Sequence, residues 1–171
     1  MRRSFGLPVV VGLILAAGWV SFGYAQDKAA PAKKKAAAPK HTVMNPADIK
    51  WGDAPPSFPP GAKMAVLQGD PSKPQMFTAR IKVPDGYKVA PHWHPTTENL
   101  TVISGTFYLG TGDKMDESKA TAMTAGAFGS MPAKMHHYAW TKGETEVQIH
   151  AMGPFQLTYV NPADDPQQKK M

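Results

Sequence analysis

The sequence predicts an all-β fold, and three features of the chain after residue 62 support this prediction. Short runs alternate apolar and polar side chains, as in Met76–Val83, where Phe77 and Ile81 share one face. Turns rich in glycine and proline, such as Pro84-Asp85-Gly86, separate these runs. No long segment has a helical period, and only residues 113–120 have the composition of a single helical turn. Many short strands joined by tight turns are typical of a β-sandwich or barrel.

The alternating runs predict strands in a regular order along the chain. They are expected at Met64–Gln68, Met76–Val83, Tyr87–Val89, Glu98–Ile103, Thr106–Gly110, Thr121–Ala125, Ala127–Ser130, His136–Trp140, Val147–Ala151 and Phe155–Val160. Ser104-Gly105 lies between two of these runs, which predicts a tight hairpin turn. We expect the interior to be filled by apolar residues from several strands: Phe77, Ile81, Leu100, Val102, Phe107, Leu109, Ile149 and Leu157.

Composition and charge exclude some classes of function. With 171 residues the chain has room for one domain and additional segments, and the absence of cysteine excludes disulfides and thiolate catalysis. Seven of the 19 basic residues but one of the 13 acidic residues lie within residues 1–42, which leaves twelve of each sign in residues 43–171. The net charge of +6 therefore belongs to the N-terminal segment. A nucleic-acid-binding face has no electrostatic support in the globular part.

Residues 1–25 have the three-part pattern of a secretory signal peptide. Arg2 and Arg3 precede an apolar run over residues 7–20, and Ala25 ends a small-residue cleavage site. An uncleaved anchor is the alternative, because the run approaches the shortest length that spans a bilayer, but its glycines and proline favour cleavage. The arginine pair also partly resembles a twin-arginine export signal. We expect an exported protein, located in the bacterial periplasm and without a membrane span after cleavage.

Two segments separate this signal from the barrel. Residues 26–42 consist almost entirely of Ala, Lys, Pro, Gln and Asp, which predicts a disordered basic linker. Residues 43–61 are rich in proline, and we expect an ordered lead-in that places Trp51 against the barrel. The barrel itself is expected over residues 62–162, followed by a C-terminal tail at 163–171.

The residues most suited to metal chemistry occur in the stretch GYKVAPHWHPTTENLTVISG. His92 and His94 are two residues apart, so on a strand their imidazoles point to the same face. Glu98 follows three turn-prone residues and begins the next alternating run. Two imidazoles and one carboxylate on neighbouring strands, directed into one cavity, make up most of a metal site.

The spacing Gly86-x5-His92-x-His94-x3-Glu98-x6-Gly105 resembles the first signature motif of the cupin family, with every defining position present. A partial match to the second cupin motif follows as Gly126-x5-Pro132-x-Lys134-x2-His137-x3-Thr141. In this second motif Lys134 replaces a glycine and Thr141 replaces an asparagine. The resemblance covers residues 62–160 and implies a double-stranded β-helix, or jelly-roll barrel.

This resemblance implies that His92, His94, Glu98 and His137 bind a divalent transition metal. Iron, manganese and zinc are the first expectations, and nickel and copper remain open, because the ligand set does not choose among them. His136 becomes the fourth ligand if the turn at Lys134 shifts the strand register by one residue. Glu98 is also the candidate catalytic residue, as a base that leaves the metal.

The stretches HWHPTTENLTVISGTFYLG and GPFQLTYVNP resemble small single-domain bacterial cupins related to the sensor domain of zinc-binding anti-sigma factors. Two functions follow as expectations. The first is a metal-dependent, dioxygenase-like enzyme acting on a small molecule, and the second is a non-catalytic module that binds or senses a metal or small ligand. The absence of an accompanying effector segment weakens the sensor interpretation. The resemblance also implies a homodimer, since cupins often pair through their sheets.

Overall fold

The computed structural model describes residues 41–168, and strands dominate its regular secondary structure. They are β1 (Gly52–Asp53), β2 (Lys63–Gln68), β3 (Met76–Val83), β4 (Lys88–Trp93), β5 (Glu98–Thr111), β6 (Thr121–Thr124), β7 (Phe128–Met131), β8 (His137–Met152) and β9 (Thr158–Tyr159). Short 3-10 turns occupy Pro46–Asp48, Glu117–Lys119 and Pro162–Asp164. The all-β prediction is confirmed, and the turn at Glu117–Lys119 falls where a helical turn was expected.

Parts of the predicted organisation lie outside the described residues. The predicted signal peptide at residues 1–25 is among them, as is most of the predicted linker at 26–42. Within residues 41–168, no helix is long and apolar enough to cross a membrane.

Strand β8 lies in the middle of one curled sheet and pairs with three other strands. One edge of β8 pairs with β5 along almost its whole length. The other edge pairs with β4 near the beginning of β8 and with β3 near its end. Beyond these strands, β2 and β1 extend the sheet from β3, β9 extends it from β4, and β6 and β7 pair with the outer edge of β5. The pairings are antiparallel, as in a jelly roll.

Strands β5 and β8 are each continuous where the sequence predicts two shorter strands. The predicted hairpin turn at Ser104-Gly105 is wrong, because β5 stays paired with β8 at both Ser104 and Thr106. Between these pairs the register shifts, because Gly105 of β5 lies opposite residues 143–145 of β8, so Gly105 faces a bulge in β8. Gly105 has φ of +79°, and a Cβ atom there would lie 2.8 Å from the Cα atom of Thr145. Glycine therefore permits a bulge in this double strand rather than a reversal of the chain.

The inner face of the sheet carries the apolar core. Along β3 every second side chain from Phe77 to Val83 is at most 5% exposed, which confirms the alternation read from the sequence. Five of the eight predicted core residues are buried and three are half-buried against the same cluster: Phe77, Ile81, Leu100, Val102 and Ile149 in the first group, and Phe107, Leu109 and Leu157 in the second.

The lead-in over residues 43–61 contacts the barrel through strand pairing and side chains. Strand β1 adds to the edge of β2. The Trp51 ring is half-buried, and Lys82 Nζ lies 4.7 Å from its centroid. This contact agrees with the prediction that Trp51 lies against the barrel.

Candidate metal centre

Three strands and the residue that follows β4 bring the four predicted ligands to one place on the inner face of the sheet. His92 lies on β4 and His94 follows this strand, while Glu98 is the first residue of β5 and His137 is the first residue of β8. His92 and His137 are direct cross-strand partners. All four side chains belong to residues that are at most 5% exposed. The structure therefore brings these four side chains together in a buried cluster.

The donor atoms of this cluster face one another across a small space. One ring nitrogen from each of His92, His94 and His137 lies within 4.8 Å of the other two. Glu98 Oε2 is 3.5 Å from His137 Nε2 and 3.6 Å from His94 Nε2. These separations are too long for good hydrogen bonds. They are close to the spacing of roughly 3–3.5 Å between atoms that share one metal ion at about 2.1 Å.

Backbone carbonyl groups fix the tautomer of all three histidines. Each Nδ1 lies 2.7–2.9 Å from a carbonyl oxygen: that of Ala90 for His92, of Gln156 for His94 and of Met135 for His137. Because a carbonyl oxygen can only accept, each Nδ1 carries the hydrogen atom and donates it. In the neutral ring the lone pair then belongs to Nε2. Metal-binding histidines are oriented in this way.

His137 Nε2 is a buried polar atom that has no hydrogen-bond partner among the described residues. Leaving a buried acceptor unpaired costs about 1–3 kcal/mol. A metal ion bound to the cluster would satisfy this lone pair together with the Nε2 lone pairs of His92 and His94. The residues present therefore fit a divalent metal.

Burial sets the charge state of the cluster. It lowers the pKa of His92 well below its ordinary value, an effect to which the neighbouring His137 and His94 add. Burial also lowers the pKa of His94. Burial alone raises the pKa of Glu98, but His137 and His94 lower it, and the net pKa is below the ordinary value. At neutral pH this gives unprotonated imidazoles at His92 and His94 and an ionised carboxylate, the states that bind metals.

The register of β8 separates His137 from His136. His137 is 2% exposed inside the sheet, whereas His136 is half-buried outside the cluster and its Nδ1 lies 2.6 Å from Asp113 Oδ1. Lys134, at the position of a motif glycine, has φ of +64°, and its N–H donates to the His94 carbonyl oxygen over 2.8 Å. Lysine thus adopts the left-handed conformation that glycine favours. The turn is retained, and His136 lies outside the cluster.

Thr141, which replaces the asparagine of the second motif, is a buried structural contact. Its Oγ1 accepts a hydrogen bond from the Tyr87 N–H over 3.1 Å and donates one to the Pro84 carbonyl oxygen over 2.9 Å. Threonine thus ties the turn between β3 and β4 to β8. This attachment supports β4, which carries His92.

The structure also adds one wall of the site that sequence reasoning did not predict. The Phe155 ring stacks on His94, with centroids 4.3 Å apart and an interplanar angle of 19°. The adjacent Gln156 supplies the carbonyl oxygen that accepts from His94 Nδ1, and Leu157 lines the cavity. Every residue has a backbone carbonyl group, so the residue type at position 156 does not predict this hydrogen bond. The sequence signals in this stretch are the family resemblance of GPFQLTYVNP, the alternation that predicts a strand over Phe155–Val160 and the apolar Leu157 expected in the core; none of them indicates a contact with His94.

A cavity of about 50 Å³ extends from the four polar side chains into the apolar interior. Apart from these four, its described lining consists of hydrophobic side chains and Tyr87, including Phe58, Val83, Leu100, Phe107, Ile149 and Leu157. The Tyr87 hydroxyl is engaged, since it donates to the Pro59 carbonyl oxygen over 2.6 Å. The cavity therefore combines a polar cluster with apolar walls.

Solved structures share this architecture. The polyketide cyclase RemF from Streptomyces resistomycificus is 15% identical, with a TM-score of 0.62 over 77% of this chain and 94% of its own. An acetylacetone dioxygenase from Acinetobacter johnsonii is 17% identical, with a TM-score of 0.57 over 78% and 85% of the two chains. An RmlC-like cupin from Shewanella frigidimarina is 16% identical, with a TM-score of 0.52 over 67% and 94%. At these identities the likeness shows the fold alone, and that fold is the cupin barrel.

Within this class the family is also defined. Residues 23–158 match the model of the family described as a domain of unknown function, DUF4437, and the chain belongs to that family. No curated protein matches the chain. Function must therefore be argued from the site itself.

Proposed function

We propose that this protein is an exported, metal-dependent cupin enzyme that acts on a small organic molecule, with oxygenase-like chemistry. The observation that carries the proposal is the set of three buried histidines whose Nδ1–H groups all donate to backbone carbonyl oxygens. Their Nε2 atoms and the Glu98 carboxylate are thereby left for one ion. The proposed ligands are His92, His94, Glu98 and His137, and the proposed ion is iron, manganese or zinc, with nickel and copper as further candidates.

Charge and polarity favour one class of substrate. Three neutral imidazoles and one carboxylate carry a single negative charge, so a divalent ion would leave the centre with a single positive charge. The described lining of the cavity contains no other charged side chain, and an uncompensated charge among apolar walls is costly. A singly anionic carboxylate or enolate with a hydrocarbon body would meet both conditions. A sugar or phosphate would find few hydrogen-bond donors on these walls.

The chain's own residues have distinct roles in this proposal. When bound, a divalent ion supplies Lewis-acid stabilisation of negative charge on a substrate oxygen. The carbonyl groups of Ala90, Gln156 and Met135 hold the imidazoles in one orientation. Glu98 is the candidate base, because it is the carboxylate in the described lining; it would take a proton from the substrate after its carboxylate leaves the ion. The apolar walls limit the entry of water.

Oxygen uptake by the reconstituted full-length protein tests the enzyme proposal. The protein would be loaded with Fe²⁺, Mn²⁺ or Zn²⁺ and given glyoxylate, pyruvate or acetylacetone, which increase in size; one structural neighbour is an acetylacetone dioxygenase. We expect metal-dependent oxygen consumption with at least one of these compounds. Activity should be lost in His94→Ala and retained in His136→Ala, whose imidazole lies outside the cluster. Tight ligand binding without turnover would contradict the enzyme proposal and favour a binding or sensing module.

Export and dimerisation belong to the same proposal. The supporting pattern for export is the basic, apolar and small-residue order of residues 1–25. Mass spectrometry of protein from a periplasmic fraction should give a chain beginning at Gln26, and an intact N-terminus would contradict cleavage. Sedimentation velocity would distinguish the homodimer implied by the cupin resemblance from a monomer.

A further inference from the structure

Phe58 lies outside the strands of the barrel, yet its side chain lines the metal cavity. The same residue also borders an open groove on the surface, formed mainly by residues 53–62. Phe58 is half-buried and packs against the hydrophobic core. Since Phe58 borders both spaces, this residue is part of the partition between the cavity and the outside.

Two tyrosines of the barrel hold the backbone on both sides of Phe58. The Tyr159 hydroxyl donates to the Ser57 carbonyl oxygen over 2.9 Å, and the Tyr87 hydroxyl donates to the Pro59 carbonyl oxygen over 2.6 Å. Both tyrosines are buried, at 7% and 8% exposed. Burial raises the pKa of Tyr87 and of Tyr159, so both hydroxyls keep the hydrogen that they donate.

The chain around Phe58 is also stiff. Prolines occupy positions 55, 56, 59 and 60, and each fixes its own φ near −65°. The Phe58 N–H donates to the Pro55 carbonyl oxygen over 2.9 Å, which closes a turn just before the ring. The Ser57 and Pro59 carbonyl groups are both hydrogen-bonded to the barrel. These two hydrogen bonds and the turn fix the position of the Phe58 ring relative to the cavity.

We propose that Phe58 determines the ligand specificity of the metal cavity. Its ring limits the size of the cavity, so that ligands containing a six-membered ring are excluded. The cavity measures about 50 Å³, whereas a cavity that holds benzene measures roughly 150 Å³. The unsubstituted cavity therefore accepts ligands of a few non-hydrogen atoms with a hydrocarbon body. The inference that such a ligand has an anionic group rests on the proposed function, but the size limit does not. Among the compounds suggested above, the limit favours glyoxylate and pyruvate over acetylacetone.

Replacing Phe58 by alanine removes a phenyl ring from the cavity wall, so benzene is the matching probe. The full-length protein would carry ¹³C-labelled methyl groups, and benzene would be titrated into metal-free and Zn²⁺-loaded samples. The methyl signals of Ile81 and Ile149 report on the cavity, which both residues line. Phe128→Ala is the matched control, because Phe128 is 64% exposed and does not line the cavity.

We expect saturable shifts of these methyl signals in Phe58→Ala, with a benzene affinity at least about tenfold above that of the unsubstituted protein and of Phe128→Ala. Phe58→Leu should fall between the two and serves if the alanine variant does not fold. Equal benzene binding by the unsubstituted protein would overturn the proposal. The same conclusion would follow if a folded Phe58→Ala or Phe58→Leu variant bound no more benzene than the control. Failure of all samples to bind metal would overturn the proposed function while leaving the methyl readout for Phe58 intact.

Discussion

Acidification of the metal-free protein should destabilise it through the two histidines that burial keeps neutral. The pKa values of His92 and His94 are lowered in the folded protein, whereas an unfolded chain has histidine pKa values near about 6.5. Below that pH the unfolded state binds protons at both residues that the folded state binds less readily. Stability rises with pH wherever the unfolded state binds more protons. The contribution is therefore complete above about pH 6.5 and is lost as the pH falls toward the folded-state values.

The slope of this loss follows from the number of excluded protons. Each excluded proton lowers the free energy of unfolding by about 1.4 kcal/mol per pH unit, so the two histidines together lower it by at most about 2.7 kcal/mol per pH unit once the unfolded histidines are protonated. Domains are stable by roughly 5–15 kcal/mol in total. Glu98 does not contribute in this window, because its pKa is also lowered on folding, and the stability that a lowered carboxyl pKa confers is lost only below about pH 4.5.

Urea unfolding between about pH 7.5 and 5 in the presence of a chelator measures this slope. The free energy of unfolding should be nearly flat above about pH 7 and should fall more steeply below about pH 6. His92→Gln removes the histidine with the more strongly lowered pKa and should reduce the slope by at least about half, whatever its effect on stability at neutral pH. An unchanged free energy of unfolding between pH 7 and 5, or an equal slope in His92→Gln, would refute the reasoning.

Three further substitutions test other parts of the structure. Gly105→Ala places a Cβ atom against the backbone of β8 at a φ of +79°. The substitution should lower the free energy of unfolding, measured with urea, by about 1–3 kcal/mol or more. An unchanged urea midpoint would contradict the bulge account. Thr141→Val keeps the shape but leaves the Tyr87 N–H without its side-chain acceptor, so a loss of about 1–3 kcal/mol is expected in the same assay. Phe155→Ala removes the ring stacked on His94. It should weaken Zn²⁺ binding by about 10- to 100-fold, measured by competition with a chromogenic chelator. An unchanged affinity would show that the stack does not position the imidazole.

Local patterns in the sequence predicted the part of the site that local geometry determines. His92 and His94 are two residues apart, so on a strand their side chains share one face. Glu98 could be predicted beside them because a short turn brings the chain back next to that strand. His137 is about forty positions farther along, so its assignment required the family resemblance, since strand pairing between distant segments is not encoded locally. The structure places its ring beside that of His92, at a centroid distance of 4.2 Å.

Features that depend on a distant partner could not be read from the sequence in the same way. Gly105 permits a positive φ, and both a hairpin turn and a bulge use one, so only its pairing with β8 distinguishes the two. Phe58 reaches the site from a proline-rich segment that has no strand period to mark it. Phe155 begins a run that predicts a strand, but the observed strand there is only Thr158–Tyr159, and the pattern does not indicate that its ring contacts His94. Gln156 acts through its carbonyl oxygen, a group that every residue has.

The metal content of the purified full-length protein tests the central claim most directly. Inductively coupled plasma mass spectrometry would compare the unsubstituted protein with His137→Ala and with His136→Ala. These variants differ by one position, but the first removes a buried imidazole of the cluster and the second removes a half-buried imidazole outside it. The metal site described here predicts close to one divalent ion per chain in the unsubstituted protein and in His136→Ala, and its loss in His137→Ala. No bound metal in the unsubstituted protein, or metal retained in His137→Ala and lost in His136→Ala, would contradict it.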